Sequence, residues 1–231
     1  MREYTVEQSS LDFKWTFERM LPSLPGPGSP AFAELCKALH PYGITPTTVT
    51  VDAPSIRLAD LNLGIGLLNN RVIVKISSVA LELIVRELLV GDEEKLIPIT
   101  EQLFAALKEI DADVVQGHAS LRAYSHLKMA PGEYELLLRE HTRLSEGTSA
   151  FAPYAIIYDV KPEPDSKAKE LKVTIAKSLA YPDSLFLDIT VDYIGPIAPS
   201  DLAQQWSVDT ERVVEMLGLR EQADTQENKE S

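Results

Sequence analysis

Between residues 116 and 129 the chain alternates: Ala119, Leu121, Ala123 and Leu127 are apolar, and His118, Ser120, Arg122, Tyr124, His126 and Lys128 between them are polar. In a strand this places two imidazoles, a hydroxyl, a guanidinium and a phenol on one face. His118 with Ser120 and Arg122, or Tyr124 with His126 and Lys128, have the chemistry of a polar pocket in which histidine serves as acid or base. His118, Ser120, Arg122, Tyr124 and His126 are therefore the candidate ligand-binding residues. The two histidines do not share a metal, because eight strand residues hold them roughly 27 Å apart. The plain alternative is the wet face of an antiparallel sheet.

Other candidates carry simpler explanations. Asp188 and Asp192 are about 13 to 14 Å apart along a strand, too far for a glycosidase pair. Asp92-Glu93-Glu94 suits the start of a helix and lacks the spaced oxygens of a calcium loop. Gly64-Ile65-Gly66 offers two glycines of a nucleotide fingerprint, but Asn69 stands where a third would be and the segment reads as a strand entering a hairpin. Walker, nucleophile-elbow and His-Glu-x-x-His signatures do not occur. Cys36 and His40 are four apart on a helix, the spacing of a thiolate pair, yet Cys36 belongs to the apolar stripe with Phe32 and Leu39 and reads as a structural thiol. Trp15 and Trp206 fall on apolar faces and are expected in the core. No catalytic residue, metal site or cofactor is nominated.

These side chains must be positioned by elements that the periodicity predicts. Residues 11–20 carry apolar side chains at 11, 13, 15 and 17 with polar ones between, a half-buried strand. Four prolines and two glycines in residues 22–30 forbid regular structure until Ser29-Pro30 starts a helix that ends before Pro41-Tyr42-Gly43. Strands follow at 47–51, 61–67 and 72–76, with Asn69-Asn70 turning the hairpin, and at 79–85 with Val79, Leu81, Leu83 and Val85 on one face. Leu96, Ile99, Leu103, Leu107, Ile110 and Val114 mark a long amphipathic helix. After the decorated strand come a short helix from Pro131-Gly132 through Leu138, a mobile loop at 145–149, and strands at 154–160, 171–176 and 185–193. A charged tip at 161–165 joins the first two of these strands, and Pro199-Ser200-Asp201 caps a final helix bearing Leu202, Trp206, Val213, Met216 and Leu217.

This order predicts an α+β fold with antiparallel sheets covered by helices on one side. It divides into a flexible N-terminus at 1–10, a first half at 11–114, a second half of nearly the same order at 115–219, and a disordered acidic tail at 220–231. The order of elements is similar to the duplicated saddle of the TATA-binding-protein-like folds. That similarity carries no function with it.

The 231 residues hold 22 Lys and Arg against 35 Asp and Glu, a formal charge of −13, and the basic residues are scattered. Such a surface repels a phosphate backbone, so nucleic acid is not an expected partner. One cysteine excludes a disulfide scaffold, and neither a leader nor a membrane span is visible in the hydropathy pattern, which suits a cytoplasmic protein. Two functions fit. The first is a non-catalytic protein-interaction module using the decorated strand face, its acidic surface suited to a basic partner. The second is a small-molecule binder or enzyme with a cavity between sheet and helix, anchored by His118, Arg122, Tyr124 and His126.

Overall fold

The computed structural model describes residues 1–21, 30–52, 61–87, 93–111, 116–142, 154–164 and 166–222. Among them the chain forms ten strands and four α-helices. The first run is β1 (Arg2–Phe17), α1 (Pro30–Leu39), β2 (Val49–Asp52), β3 (Asn62–Leu67), β4 (Val72–Ser77), β5 (Ala80–Val85) and α2 (Glu93–Ile110). The second is β6 (Gln116–Lys128), α3 (Glu133–Thr142), β7 (Ala155–Val160), β8 (Ala168–Lys177), β9 (Ser184–Tyr193), α4 (Pro199–Met216) and β10 (Leu219–Glu221). The fold is α+β.

All the strands join one sheet in the order β2-β3-β4-β5-β1-β6-β9-β8-β7, antiparallel throughout, with β10 added parallel to the start of β1. The two longest strands, β1 and β6, pair at its middle, with Leu11 opposite Ala123 and Asp12 opposite Arg122. Each run of elements therefore meets the other at the first strand of each. Buried side chains from both runs form one hydrophobic cluster, so the sheet has a single core.

Alternation decides which face is covered. Leu11, Phe13 and Trp15 of β1 turn to the side where α2 and α4 lie. The register carries that face from Leu11 through Ala123, Ile189 and Val173 to Tyr158, whose ring meets His141 of α3. α1 stacks on α2. The other face of the sheet centre bears the even-numbered residues of β1 and β6, and none of the described helices lies over them.

The hairpin at Asn69-Asn70 is present, with Leu68, Asn69 and Asn70 all at positive φ. Gly66 lies beside it for a steric reason: a Cβ there would stand 1.9 Å from Asn70 Oδ1.

The structure corrects several boundaries. The N-terminal residues, assigned to a flexible segment at 1–10, lie in a paired strand: β1 starts at Arg2, pairs with β10 at residues 2–4 and with β6 from Thr5, and buries Tyr4. A bulge between Val6 and Gln8 shifts the period by one, so residues 2–6 continue the strand out of phase with 8–15. At the other end, Arg220 and Glu221, assigned to the tail, complete β10, which buried Leu219 anchors. β5 begins at Ala80 and leaves Val79 exposed, while α3 begins two residues late and runs on to Thr142. The proline-rich residues 22–29, Asp92, the loop at 145–149, Asp165 and the tail from 223 lie outside the described residues. No described helix is long and apolar enough to cross a membrane.

Candidate functional site

The five residues nominated on β6 share the helix-free face, as the alternation requires, and the neighbouring strands complete their surroundings. Arg122 stands opposite Asp12 on β1 and Thr190 on β9. Its guanidinium reaches diagonally to Asp188, Nε donating to Oδ1 at 3.0 Å and Nη2 to Oδ2 at 2.7 Å. This two-pronged bond raises the Arg122 pKa. Burial raises the Asp12 carboxyl despite the opposing pull of Arg122.

Tyr124 follows on the same face. The Arg122 guanidinium carbon lies 6.0 Å from its ring centroid, and the ring of Phe186 on β9 lies 6.3 Å away. Phe186 also packs against His126 at 5.3 Å, and His126 against Tyr181 at 5.0 Å. An arginine and four rings thus form one continuous patch. The hairpin between β8 and β9 closes its end: the Tyr181 hydroxyl donates to Gln8 Oε1 at 3.2 Å, and Leu179 beside it is 81% exposed.

His126 has a defined hydrogen-bond state. Its Nδ1 is 2.9 Å from Ser178 Oγ, which already accepts the backbone N–H groups of Ala180 and Tyr181. With both lone pairs taken, the serine hydroxyl donates its proton to Nδ1, which assigns a neutral imidazole protonated at Nε2. Burial acts the same way, lowering the His126 pKa. A buried serine that accepts two N–H bonds is held as a turn-former, so this hydroxyl-imidazole pair does not present an activated nucleophile.

His118 and Ser120 are not part of that patch. His118 lies at the far end of β6, with Nδ1 2.8 Å from Thr16 Oγ1. Ser120 sits between Lys14 and Asp192, and Lys14 pairs with Glu82 at 2.7 Å. The structure brings Arg122, Tyr124 and His126 together and leaves His118 apart.

The cavity between sheet and helices is lined by the opposite face of β6, through Ala123 and Ser125. The nominated polar anchors therefore point away from it, because even and odd residues of a strand face opposite ways. Ser178, Tyr181, Phe186 and Asp188 complete the patch and lie 52 to 66 residues from their partners on β6 or farther, beyond what any local spacing signals.

The remaining candidates take structural roles. Cys36 is half-buried in α1, and burial pushes its thiol pKa up, the reverse of an activated thiolate. Gly64 faces Thr50, where a Cβ would stand 2.5 Å from Oγ1. Among the described residues no group of three or more His, Cys, Asp or Glu is placed to hold a metal ion.

No protein-family model matches the chain, and no curated protein matches it.

Proposed function

We propose that the protein is a non-catalytic binding module that docks a protein partner on the helix-free face of its sheet. The observation that carries this reading is the patch formed by Arg122, Tyr124, His126, Phe186 and Tyr181, continued by exposed Leu179. Arginine and aromatic side chains are the types enriched at the centres of protein interfaces. Polar and charged residues surround them on the same face, among them Asp12, Lys14 and Asp192, as an interface rim requires. Ile157, 70% exposed, extends the apolar surface toward the sheet edge. The formal charge of −13 favours a basic partner, whose approach it would steer.

Two further parts of the proposal rest on sequence pattern. The runs at 11–114 and 115–219 are copies of one unit, a reading supported by their similar element order and by the central β1–β6 pair. A cytoplasmic setting rests on the single thiol of Cys36, which has no partner within the chain for a disulfide.

Native mass spectrometry of the protein purified gently from its own host tests the docking reading, with the Arg122→Ala/Tyr124→Ala variant alongside. The expected result is a stoichiometric protein partner retained by the wild type and lost by the variant at an unchanged melting temperature. Wild-type protein that retains no partner, or a variant that keeps it, overturns the proposal.

A further inference from the structure

On the helix-bearing side, a cleft of about 410 Å³ lies over the middle of the sheet. Phe13 and Trp15 of β1 and Ala123 of β6 contribute to its floor, α2 forms one wall, and Ala203, Trp206 and Thr210 of α4 form the other. The short side chains of Ala123 and Ala203 help leave the space open. Packed interiors contain few voids larger than a water molecule, whereas a volume of several hundred cubic ångströms is that of a small-molecule pocket.

Among the described residues the lining contains no ionisable side chain. A carboxylate, phosphate or ammonium entering it would lose its hydration without meeting a counter-charge, so the occupant must be neutral. Most of the polar groups lining it are already engaged. Thr100 donates to the Leu96 carbonyl at 2.7 Å, Ser9 and Ser125 bond each other at 3.0 Å, and Ser207 donates to Glu211 at 3.1 Å.

Two groups remain. The indole Nε1 of Trp15, a residue only 1% exposed, and the hydroxyl of Thr210 are buried with no hydrogen-bond partner among the described residues. Both atoms are closed to water, so they lie beneath the wall of the cleft and leave its surface apolar. The Trp15 ring is fixed, stacked on Phe13 at 5.9 Å and meeting the edge of Phe104 at 5.4 Å, so this part of the floor is rigid.

We propose that this cleft binds a neutral, mainly apolar small molecule, held by packing against Phe13, Trp15 and Trp206. The site lies on the opposite side of the sheet from the proposed docking patch, so either reading stands or falls without the other.

Fluorescence titration of the full chain with 6-propionyl-2-dimethylaminonaphthalene, a neutral naphthyl ketone, tests the site, with 2-naphthoate as the charged comparator. The expected result is saturable one-site binding of the ketone with a blue shift of its emission, and at least tenfold weaker binding of naphthoate. Trp206→Ala, which removes an aromatic wall of the cleft, should weaken ketone binding several-fold. Ala203→Trp should abolish it by filling the cleft, and Ala123→Leu serves the same purpose should the first variant fail to fold. Absence of saturable ketone binding, naphthoate binding as tightly, or full affinity in a folded cleft-filling variant would each overturn the proposal.

Discussion

Tyr193 of β9 donates its phenol hydroxyl to Asp209 Oδ2 in α4 at 3.0 Å, with the two side chains 1% and 2% exposed. The bond ties the middle of α4 to the sheet, on the helix that also walls the central cleft. A buried hydrogen bond to a carboxyl group contributes about 1.5 to 3 kcal/mol, and loss of one partner leaves the other without its bond. Tyr193→Phe should therefore lower the unfolding free energy by about that amount in urea denaturation. A variant as stable as the wild type would show that Gln205, whose Nε2 lies 3.5 Å from the same oxygen, suffices for Asp209.

The same carboxyl carries a pH dependence of fixed sign. Burial raises the Asp209 pKa, outweighing the opposing bonds from Tyr193 and Gln205. An acid whose folded pKa exceeds its unfolded value of about 3.9 binds more protons when folded, so its contribution to stability falls as pH rises above that value. Asp209→Asn keeps an acceptor for Tyr193 and cannot ionise. It should gain stability relative to the wild type between pH 4 and pH 7, and an equal difference at both pH values would contradict the assignment.

His126 gives the opposite slope. Burial depresses its pKa, so the unfolded chain binds the proton more readily below the ordinary value of about 6.5. Its contribution is complete above that pH and is lost as the pH falls through the depressed folded value. His126→Gln can still accept from Ser178 and should flatten the fall in melting temperature between pH 7 and pH 5. An unaltered profile would mean that the imidazole is already charged in the fold, against the hydrogen-bond pattern around Ser178.

How far these features are legible in the sequence depends on whether their cause is local. The alternation of Leu11, Phe13, Trp15 and Phe17 announces β1, and that of Ala119, Leu121, Ala123 and Leu127 announces β6 and the polar face behind it. Residues 2–6 escape the same reading because the bulge at Val6–Gln8 breaks the period, placing Tyr4 and Leu11 on one face despite their opposite parity, and Gln8, Ser9 and Ser10 escape it because none is apolar. The partner that orders Arg2 to Tyr4 is β10, more than 200 residues away. The site divides in the same manner. Arg122, Tyr124 and His126 stand out on one strand, but Asp188, Ser178 and Phe186, which decide what those side chains do, come from elements with no local link to β6. A cavity between sheet and helices is expected from the sequence, but with its lining on the wrong face of β6, since a space between elements leaves no periodic trace in any of them.

Leu219 shows the cost of that distant pairing. It is fully buried, and β10 around it is held by Arg2 N donating to the Gly218 carbonyl at 2.8 Å and Gln222 N to the Tyr4 carbonyl at 2.8 Å. Leu219→Ala should destabilise the protein by about 2 to 5 kcal/mol, the usual range for a buried leucine. Amide exchange should rise first at residues 2–4, before the centre of β1 opens. Protection at those amides equal to the wild type would show that β6 alone holds the N-terminal strand.

The β3–β4 hairpin closes on three successive residues at positive φ, Leu68 at 49°, Asn69 at 58° and Asn70 at 63°. Left-handed geometry costs most side chains about 1 to 2 kcal/mol per residue, and asparagine tolerates it best after glycine. Asn70→Gly should leave stability unchanged or raise it, while Asn70→Val should lower it by at least about 1 kcal/mol, because β-branching crowds that conformation. The position is doubly constrained, since Asn70 Oδ1 occupies the space a Cβ on Gly66 would need. Gly66→Ala should accordingly destabilise the wild type more than it destabilises Asn70→Gly, where the obstructing side chain is gone. A double-mutant cycle measured by thermal unfolding reads this coupling, and strictly additive effects would mean that the hairpin moves aside at no cost.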